Sequence, residues 1–225
     1  MTRSALLVGA TGLVGHQLLA RLLRDPLYDR VTVLARRPLD VAHPTLDVRV
    51  VDFDALEASD VPAVDDVYCA LGSTIRAAGS QQAFRQVDQH YVVAVARLAH
   101  AAGAQRIAVV SSVGAKAGAR NFYLGVKGDM EEEVKAVGFE RVEIFRPSFI
   151  TGPRPDRRLA EKLGFAAASA LSPAMRGSAR AYRPVPAGRL AAAMIASLRE
   201  GTGATPKGGA SVRTYEDIVH LTEPA

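Results

Sequence analysis

The chain has 225 residues, 48% hydrophobic and 23% charged, which is enough for one large core and unlike a disordered or fibrous polymer. Its formal net charge is +5, but the basic residues are nearly all scattered arginines with few aromatics between them, which argues against a specific nucleic-acid binder and suits an anionic small molecule. A single cysteine, Cys69, excludes an internal disulfide and fits a reducing, cytoplasmic compartment, while no apolar run is long enough to cross a membrane and glycine interrupts the opening MTRSALLVGATGLVG too early for a signal peptide.

The first apolar segment, 5–9, runs into GATGLVG at 9–15 and a helical pattern over 13–24. A phosphate that approaches backbone N–H groups needs side chains out of its way, and the N-terminus of a following helix adds partial positive charge. In this reading Gly9 makes a tight turn, Gly12 allows the close approach and Gly15 lets the helix pack on the strand. The strand-then-helix context separates the motif from a chance glycine triplet. A second strand over 31–35 is followed at once by Arg36, Arg37 and Pro38. An NAD site places a carboxylate there for the ribose hydroxyls, and an NADP site places arginine, whose guanidinium matches the extra phosphate. None of residues 34–37 is acidic, so NADP(H) is the expected cofactor; the alternative is that both arginines simply solvate a loop. A third strand over 48–51 leads to Asp52 and Phe53, positioned to flank an adenine, with a loop cap as the plainer role for Asp52.

The irregular stretch 53–65 connects to a fourth strand over 67–71. Then come a helical pattern over 81–102, a strand over 107–110 ending at Ser111 and Ser112, a helical pattern over 123–137 and a strand over 142–145. Short, fully apolar strands alternating with helices predict an α/β fold, a doubly wound parallel sheet with helices on both faces. Beyond Arg146, prolines at 147, 153, 155, 173, 184 and 186 break the chain into short pieces. Helical patterns survive at 157–171 and 188–199, a last strand and helix fit within 211–221, and 201–209 reads as an exposed loop. The expectation is a single dinucleotide-binding domain over 1–225, with 151–225 forming a small substrate-side cap too poor in large apolar side chains for a core of its own.

Tyr123 and Lys127 lie four residues apart and share a helix face. A lysine ammonium favours the phenolate form of a neighbouring phenol, so this tyrosine can serve as acid or base; packing is the alternative role. Ser112, at the tip of the preceding strand, can hold a substrate oxygen while a nicotinamide supplies the hydride. His16, His43, His90, His100 and His220 show no metal spacing with one another or with Cys69, so no metal is expected. Cys69 reads as buried packing. Glu131, Glu132 and Glu133 read as a solvated helix face and not a paired-carboxylate site.

GATGLVG, the Ser112, Tyr123 and Lys127 set, and the RP of FRPSFITGPR resemble the atypical branch of the short-chain dehydrogenase/reductase superfamily, whose loop is Gly-x-x-Gly-x-x-Gly. More narrowly, CALGST, the VD before a tyrosine-containing helix, SSVGA before NFYLGVKG, and FRPSF, in that order, are similar to the Tat-interacting-protein oxidoreductase family over roughly 5–153. The resemblance implies a Rossmann fold in which Gly9, Thr11, Gly12, Leu13, Val14 and Gly15 wrap the pyrophosphate and Arg36 and Arg37 hold the 2′-phosphate. It also implies that Asp52 and Phe53 border the adenine, with Ala70, Leu71 and Gly72 on the ribose side and Ser111 beside the cofactor. Lys127 would bind the nicotinamide ribose as well as tune Tyr123, and Pro147, Ser148, Phe149 and Ile150 would meet the carboxamide. Asp88 falls near a place where many relatives carry a proton-relaying asparagine. Relatives often pair through the helices at 81–102 and 123–137, which makes a homodimer an expectation, although the same apolar faces can pack internally. The expected activity is an NADPH-dependent reduction of a carbonyl-type group on a small organic substrate. The alternatives are an NADP(H) sensor with little turnover and, disfavoured by the short segment after Pro153, nucleotide-sugar modification.

Overall fold

A computed structural model of the chain describes residues 2–152, 177–199 and 209–223. Its strands are β1 (Arg3–Val8), β2 (Tyr28–Ala35), β3 (Leu46–Val50), β4 (Asp66–Cys69), β5 (Arg106–Val110), β6 (Arg141–Phe145), the two-residue β7 (Ile150–Thr151) and β8 (Val185–Pro186), and β9 (Gly209–Arg213). The helices are α1 (Leu13–Leu22), α2 (Ile75–Ala78), α3 (Gln81–Arg85), α4 (Tyr91–Ala101), α5 (Phe122–Ala136), α6 (Ala187–Leu198) and α7 (Tyr215–His220). Seven strands form one parallel sheet in the order β3-β2-β1-β4-β5-β6-β9. The chain winds outward from β1 to β3, then returns to β4 on the other side of β1 and winds the opposite way. The reversal leaves a crevice at the carboxyl ends of β1 and β4, where open α/β sheets bind ligands.

Strand side chains alternate between faces, so each apolar run feeds two cores. Ala5 and Leu7 join α1 and α6 on one face, while Leu6, Val8 and Cys69 join α4 and α5 on the other. Ala5 through Val8 have no exposed surface, which is why β1 reads as continuously apolar. The apolar faces of α4 and α5, including Val95, Ala96, Met130 and Val134, are buried within the chain. Polar contacts join their outer edges, with Gln89 donating to Glu133 and Arg97 facing the same carboxylate.

Two features depart from expectation. The helical pattern over 81–102 is not one α-helix: a π-helical turn, Gln86–His90, separates α3 from α4 and turns Asp88 and Gln89 inward. Such turns often occur at functional sites. The tail also divides differently from the expected cap. Helix α6 carries Leu190, Ala191, Met194 and Leu198 on one stripe, all with no exposed surface, and that stripe packs on α1 within the sheet's own core. Strand β9 extends the main sheet beside β6. This part of 151–225 is therefore core, because an apolar helical stripe of that length needs a partner helix to leave water. Among the described residues, β7 and β8 alone form a separate small ladder, pairing Ile150 with Val185. The expected helix over 157–171 and most of the loop over 201–209 lie outside the described residues.

Candidate functional site

The loop between β1 and α1 is built by close backbone approach. Gly9 has φ +84°, and a Cβ on it would sit 2.5 Å from the carbonyl oxygen of Ala70, so the tips of β1 and β4 touch. A Cβ on Gly15 would sit 2.0 Å from the Gly9 carbonyl oxygen, so α1 seats directly on the turn. Gly12 donates its N–H to the Gly9 carbonyl at 2.9 Å and then N-caps α1. No acidic side chain occupies the first turn of α1, which leaves its N–H groups and the positive end of its dipole to serve an anion. Thr11 stands exposed on the crest, while Val14 and Gly15 are buried behind it with Leu13 at their side.

A cleft of about 640 Å3 opens over this turn. Gly9 and Gly12 form its floor, Arg36 and Arg37 one rim, and Ala70, Leu71 and Gly72 the other. Both arginines are solvent-exposed. Phe53 and Tyr91 close the end, their ring centres 5.5 Å apart. Tyr91 donates its hydroxyl to Asp54 at 2.7 Å, and burial together with that carboxylate pushes the phenol up to about 12. Gln86 reaches the same Asp54 oxygen at 3.2 Å. The Asp52 carboxylate accepts the Asp54 N–H at 2.9 Å as a turn cap. Another hollow, of about 440 Å3, lies between α1 and α6 beside Arg21, Arg24 and Arg199, away from the strand tips of the switch point.

The remaining expected residues gather at the tips of β5 and β6 and along one stripe of α5. Tyr123, Lys127 and Glu131 follow at intervals of four on one stripe, with Lys127 and Glu131 buried. Tyr123 is half-buried, with its ring centre 5.3 Å from that of Phe84. Lys127 is 3% exposed, and its Nζ lies 2.7 Å from Asp88 Oδ1. The other Asp88 oxygen accepts the Ser73 N–H at 2.8 Å. Burial pushes the Asp88 carboxyl up, opposed by Lys127 and by the Ser73 hydrogen bond. Ser112 is buried, with its hydroxyl 3.4 Å from the Val113 carbonyl oxygen. Ser111 donates to Glu131, which also receives the Arg146 guanidinium at 2.9 Å.

Glu131 corrects the reading of the three glutamates as one solvated face. It has no exposed surface, and it braces β5 to β6 through Ser111 and Arg146. Its spacing from Lys127 carried the signal. Cys69 is fully buried as expected, and desolvation pushes its thiol up to about 11. After β6, the Pro147 carbonyl accepts the Val113 N–H at 3.0 Å, Ser148 donates its hydroxyl to the Arg183 carbonyl at 2.7 Å, and the Phe149 carbonyl accepts the Val185 N–H at 2.8 Å. Phe149 itself points outward, and Ile150 begins β7. The structure thus brings the glycine loop, both arginines, Phe53 and Ala70–Gly72 around one cleft, with Lys127 beneath its wall. Tyr91, Asp54 and Gln86 were not anticipated, because their meeting depends on the inward turn before α4. Among the described residues, no three His, Cys, Asp or Glu side chains are grouped to hold a metal ion, and no helix is long and apolar enough to cross a membrane.

Residues 9–164 match a family model described as NAD(P)H-binding. Protein HTATIP2 of Rattus norvegicus is 36% identical over 166 residues, covering 72% of this chain and 68% of that protein. Protein fmp52, mitochondrial, of Aspergillus fumigatus is 35% identical over 163 residues, covering 69% of this chain and 70% of that protein. The name of that fungal relative places it in mitochondria, so the cytoplasmic expectation is not common to the relatives. Among solved structures, MoeE5 in complex with UDP-glucose and NAD aligns with TM-score 0.66 at 18% identity, over 96% of this chain and 80% of the other. A short-chain dehydrogenase/reductase superfamily protein from Agrobacterium tumefaciens with bound NAD aligns with TM-score 0.67 at 16% identity, over 94% of this chain and 77% of the other. These neighbours share the Rossmann-like fold, and the family and fold together support a function of oxidoreductase type. The chain belongs to the NAD(P)H-binding family, with the HTATIP2 and FMP52 proteins among its relatives.

Proposed function

We propose that the chain is an NADPH-dependent oxidoreductase that reduces a carbonyl-type group on a small organic substrate. The observation that carries this reading is the cleft at the switch point, where a helix N-terminus with no side-chain cap lies opposite two exposed arginines. The donor set suits a phosphorylated dinucleotide. The N–H groups around Gly9, Thr11, Gly12, Leu13, Val14 and Gly15 offer an anion cradle for a pyrophosphate, on a turn so tightly packed on itself that a Cβ at Gly9 or Gly15 would meet backbone. Arg36 and Arg37 offer guanidinium groups to a 2′-phosphate. Phe53, with Asp52 beside it, borders the adenine, and Ala70, Leu71 and Gly72 line the ribose side.

When bound, NADPH supplies the hydride. Tyr123 donates a proton to the oxygen of the substrate, whose position the Ser112 hydroxyl fixes. Lys127 donates hydrogen bonds toward the nicotinamide ribose, and the backbone from Pro147 through Ser148 and Phe149 to Ile150 receives the carboxamide. Ser111 contributes by holding the β5 tip on Glu131, since its hydroxyl already has that partner.

A second reading, an NADP(H)-binding module with little turnover, draws on two contacts. The Tyr123 ring packs on Phe84, and Asp88 pairs with the Lys127 ammonium. Kinetics separate the two. Wild type and Tyr123→Phe are assayed by NADPH absorbance against a panel of aldehydes, ketones and quinones. The enzyme reading predicts turnover in wild type and at least a ~100-fold loss in the variant, with NADPH affinity retained. A wild type that binds NADPH and turns over nothing in the panel favours the binding module.

A further inference from the structure

The π-helical turn before α4 carries one fully buried acid, Asp88, and both of its oxygens are engaged. Oδ2 accepts the Ser73 N–H at 2.8 Å, and Oδ1 lies 2.7 Å from Lys127 Nζ. A Cβ placed on Gly72 would be 3.5 Å from that Oδ1 and 3.8 Å from that Nζ. The ion pair therefore lies directly beneath the rim of the cleft that Gly72 forms. Lys127 from α5 and the Ser73 N–H from the loop after β4 meet Asp88 there, and the charges of the pair act on the Cys69 thiol of β4.

We propose that Asp88 is the positioning residue of this cleft, holding the Lys127 ammonium beneath Gly72 and cancelling its charge there. The inference rests on the dinucleotide reading above. An asparagine in this place would offer one acceptor oxygen to two donors, the Ser73 N–H and the Lys127 ammonium, so it would lose one of these contacts and leave the lysine charge uncompensated. The charge difference bears on the redox state of the ligand. The nicotinamide ring is cationic in NADP+ and neutral in NADPH. An uncompensated ammonium at the cleft wall repels only the oxidised ring, whereas a neutral Asp88–Lys127 pair tolerates both. Burial pushes the carboxyl up while Lys127 and the Ser73 N–H oppose that rise, so each partner of the pair depends on the other.

The test compares wild type, Asp88→Asn and Asp88→Asn/Lys127→Met as full chains. Each is titrated with NADP+ and with NADPH by calorimetry, and thermal melts are run alongside. The account predicts that Asp88→Asn raises the ratio of the NADP+ to the NADPH dissociation constant by at least about tenfold, the effect of one unit charge acting across about 12 Å at an effective dielectric near 20. The double variant, which removes both charges, returns the ratio to the wild-type value even if both affinities fall. If Asp88→Asn loses the fold but the double variant keeps it, the stranded lysine is the cause, and the pairing is supported. An equal loss of both affinities in Asp88→Asn, an unchanged ratio, or a double variant that unfolds as readily as the single one overturns the proposal. A wild type that binds neither nucleotide refutes the dinucleotide reading itself, and the inference with it.

Discussion

Replacing Glu131 with leucine tests whether the brace between β5, β6 and α5 is real. The carboxylate is buried, with its side chain 1% exposed, and the Arg146 side chain that pairs with it is 27% exposed. Truncating one partner of a fully buried ion pair costs about 3–5 kcal/mol, because the other charge is left without compensation. Partial access of Arg146 to water moves the expected cost to the lower end, about 3 kcal/mol, and the Ser111 hydroxyl loses its acceptor as well, at about 1 kcal/mol. In a chain of this length each kcal/mol lowers the melting temperature by about 2–4 °C, so the expected fall is roughly 8–16 °C. Circular dichroism melts of Glu131→Leu against Glu132→Leu read the difference. Glu132 is 61% exposed and pairs with its helix neighbour Lys135, so its replacement should stay within about 0.5 kcal/mol of wild type. The double variant Glu131→Leu/Arg146→Met should recover most of the loss, since apolar replacement of a whole buried pair is often tolerated. If Glu131→Leu costs no more than Glu132→Leu, the brace does not hold the strand tips and the argument fails.

Other parts of the site make separate predictions. Arg36→Ala/Arg37→Ala should weaken NADPH binding by about 100-fold or more, from two charge-assisted hydrogen bonds of roughly 1.5–3 kcal/mol each, and change NADH binding by less than about threefold. Equal weakening of both nucleotides would remove these arginines from the 2′-phosphate. The Cys69 thiol should resist a disulfide reagent near neutral pH in the folded chain and react in denaturing urea, and rapid labelling of the native protein would contradict its burial. Its titration gives stability a signed pH dependence. The thiol titrates at about 11 when folded against an ordinary value of 9.0, so its contribution is complete below pH 9 and is lost as pH rises toward 11, where the unfolded chain alone has released the proton. Urea midpoints of wild type should fall over that window more steeply than those of Cys69→Ala.

Much of the sheet is legible in the sequence because its central strands are buried on both faces. A run such as ALLV carries no polar interruption that could be mistaken for another period. The glycine loop is legible for a similar reason, since Gly9 and Gly15 stand where backbone meets backbone and no other residue fits. The π-helical turn is not legible in this way. One extra residue in a helix that is apolar along most of its length hardly disturbs the pattern over 81–102, yet it decides whether Asp88 faces water or Lys127. Glu131 was misread because three adjacent acids suggest solvent, although its spacing from Tyr123 and Lys127 puts it on the inward stripe. The apolar stripe of α6 can be seen in the sequence, but its partner α1 lies far away along the chain, and local pattern does not reveal which surface such a stripe will cover.

A crystal structure of the chain grown with NADPH tests the central claim most directly. The account predicts the pyrophosphate on the turn from Gly9 to Gly12, the 2′-phosphate against Arg36 and Arg37, and the nicotinamide at the tips of β4 and β5 within reach of Lys127 and the Tyr123 hydroxyl. A nucleotide bound elsewhere, or one in this cleft with its nicotinamide directed away from Tyr123, would contradict it.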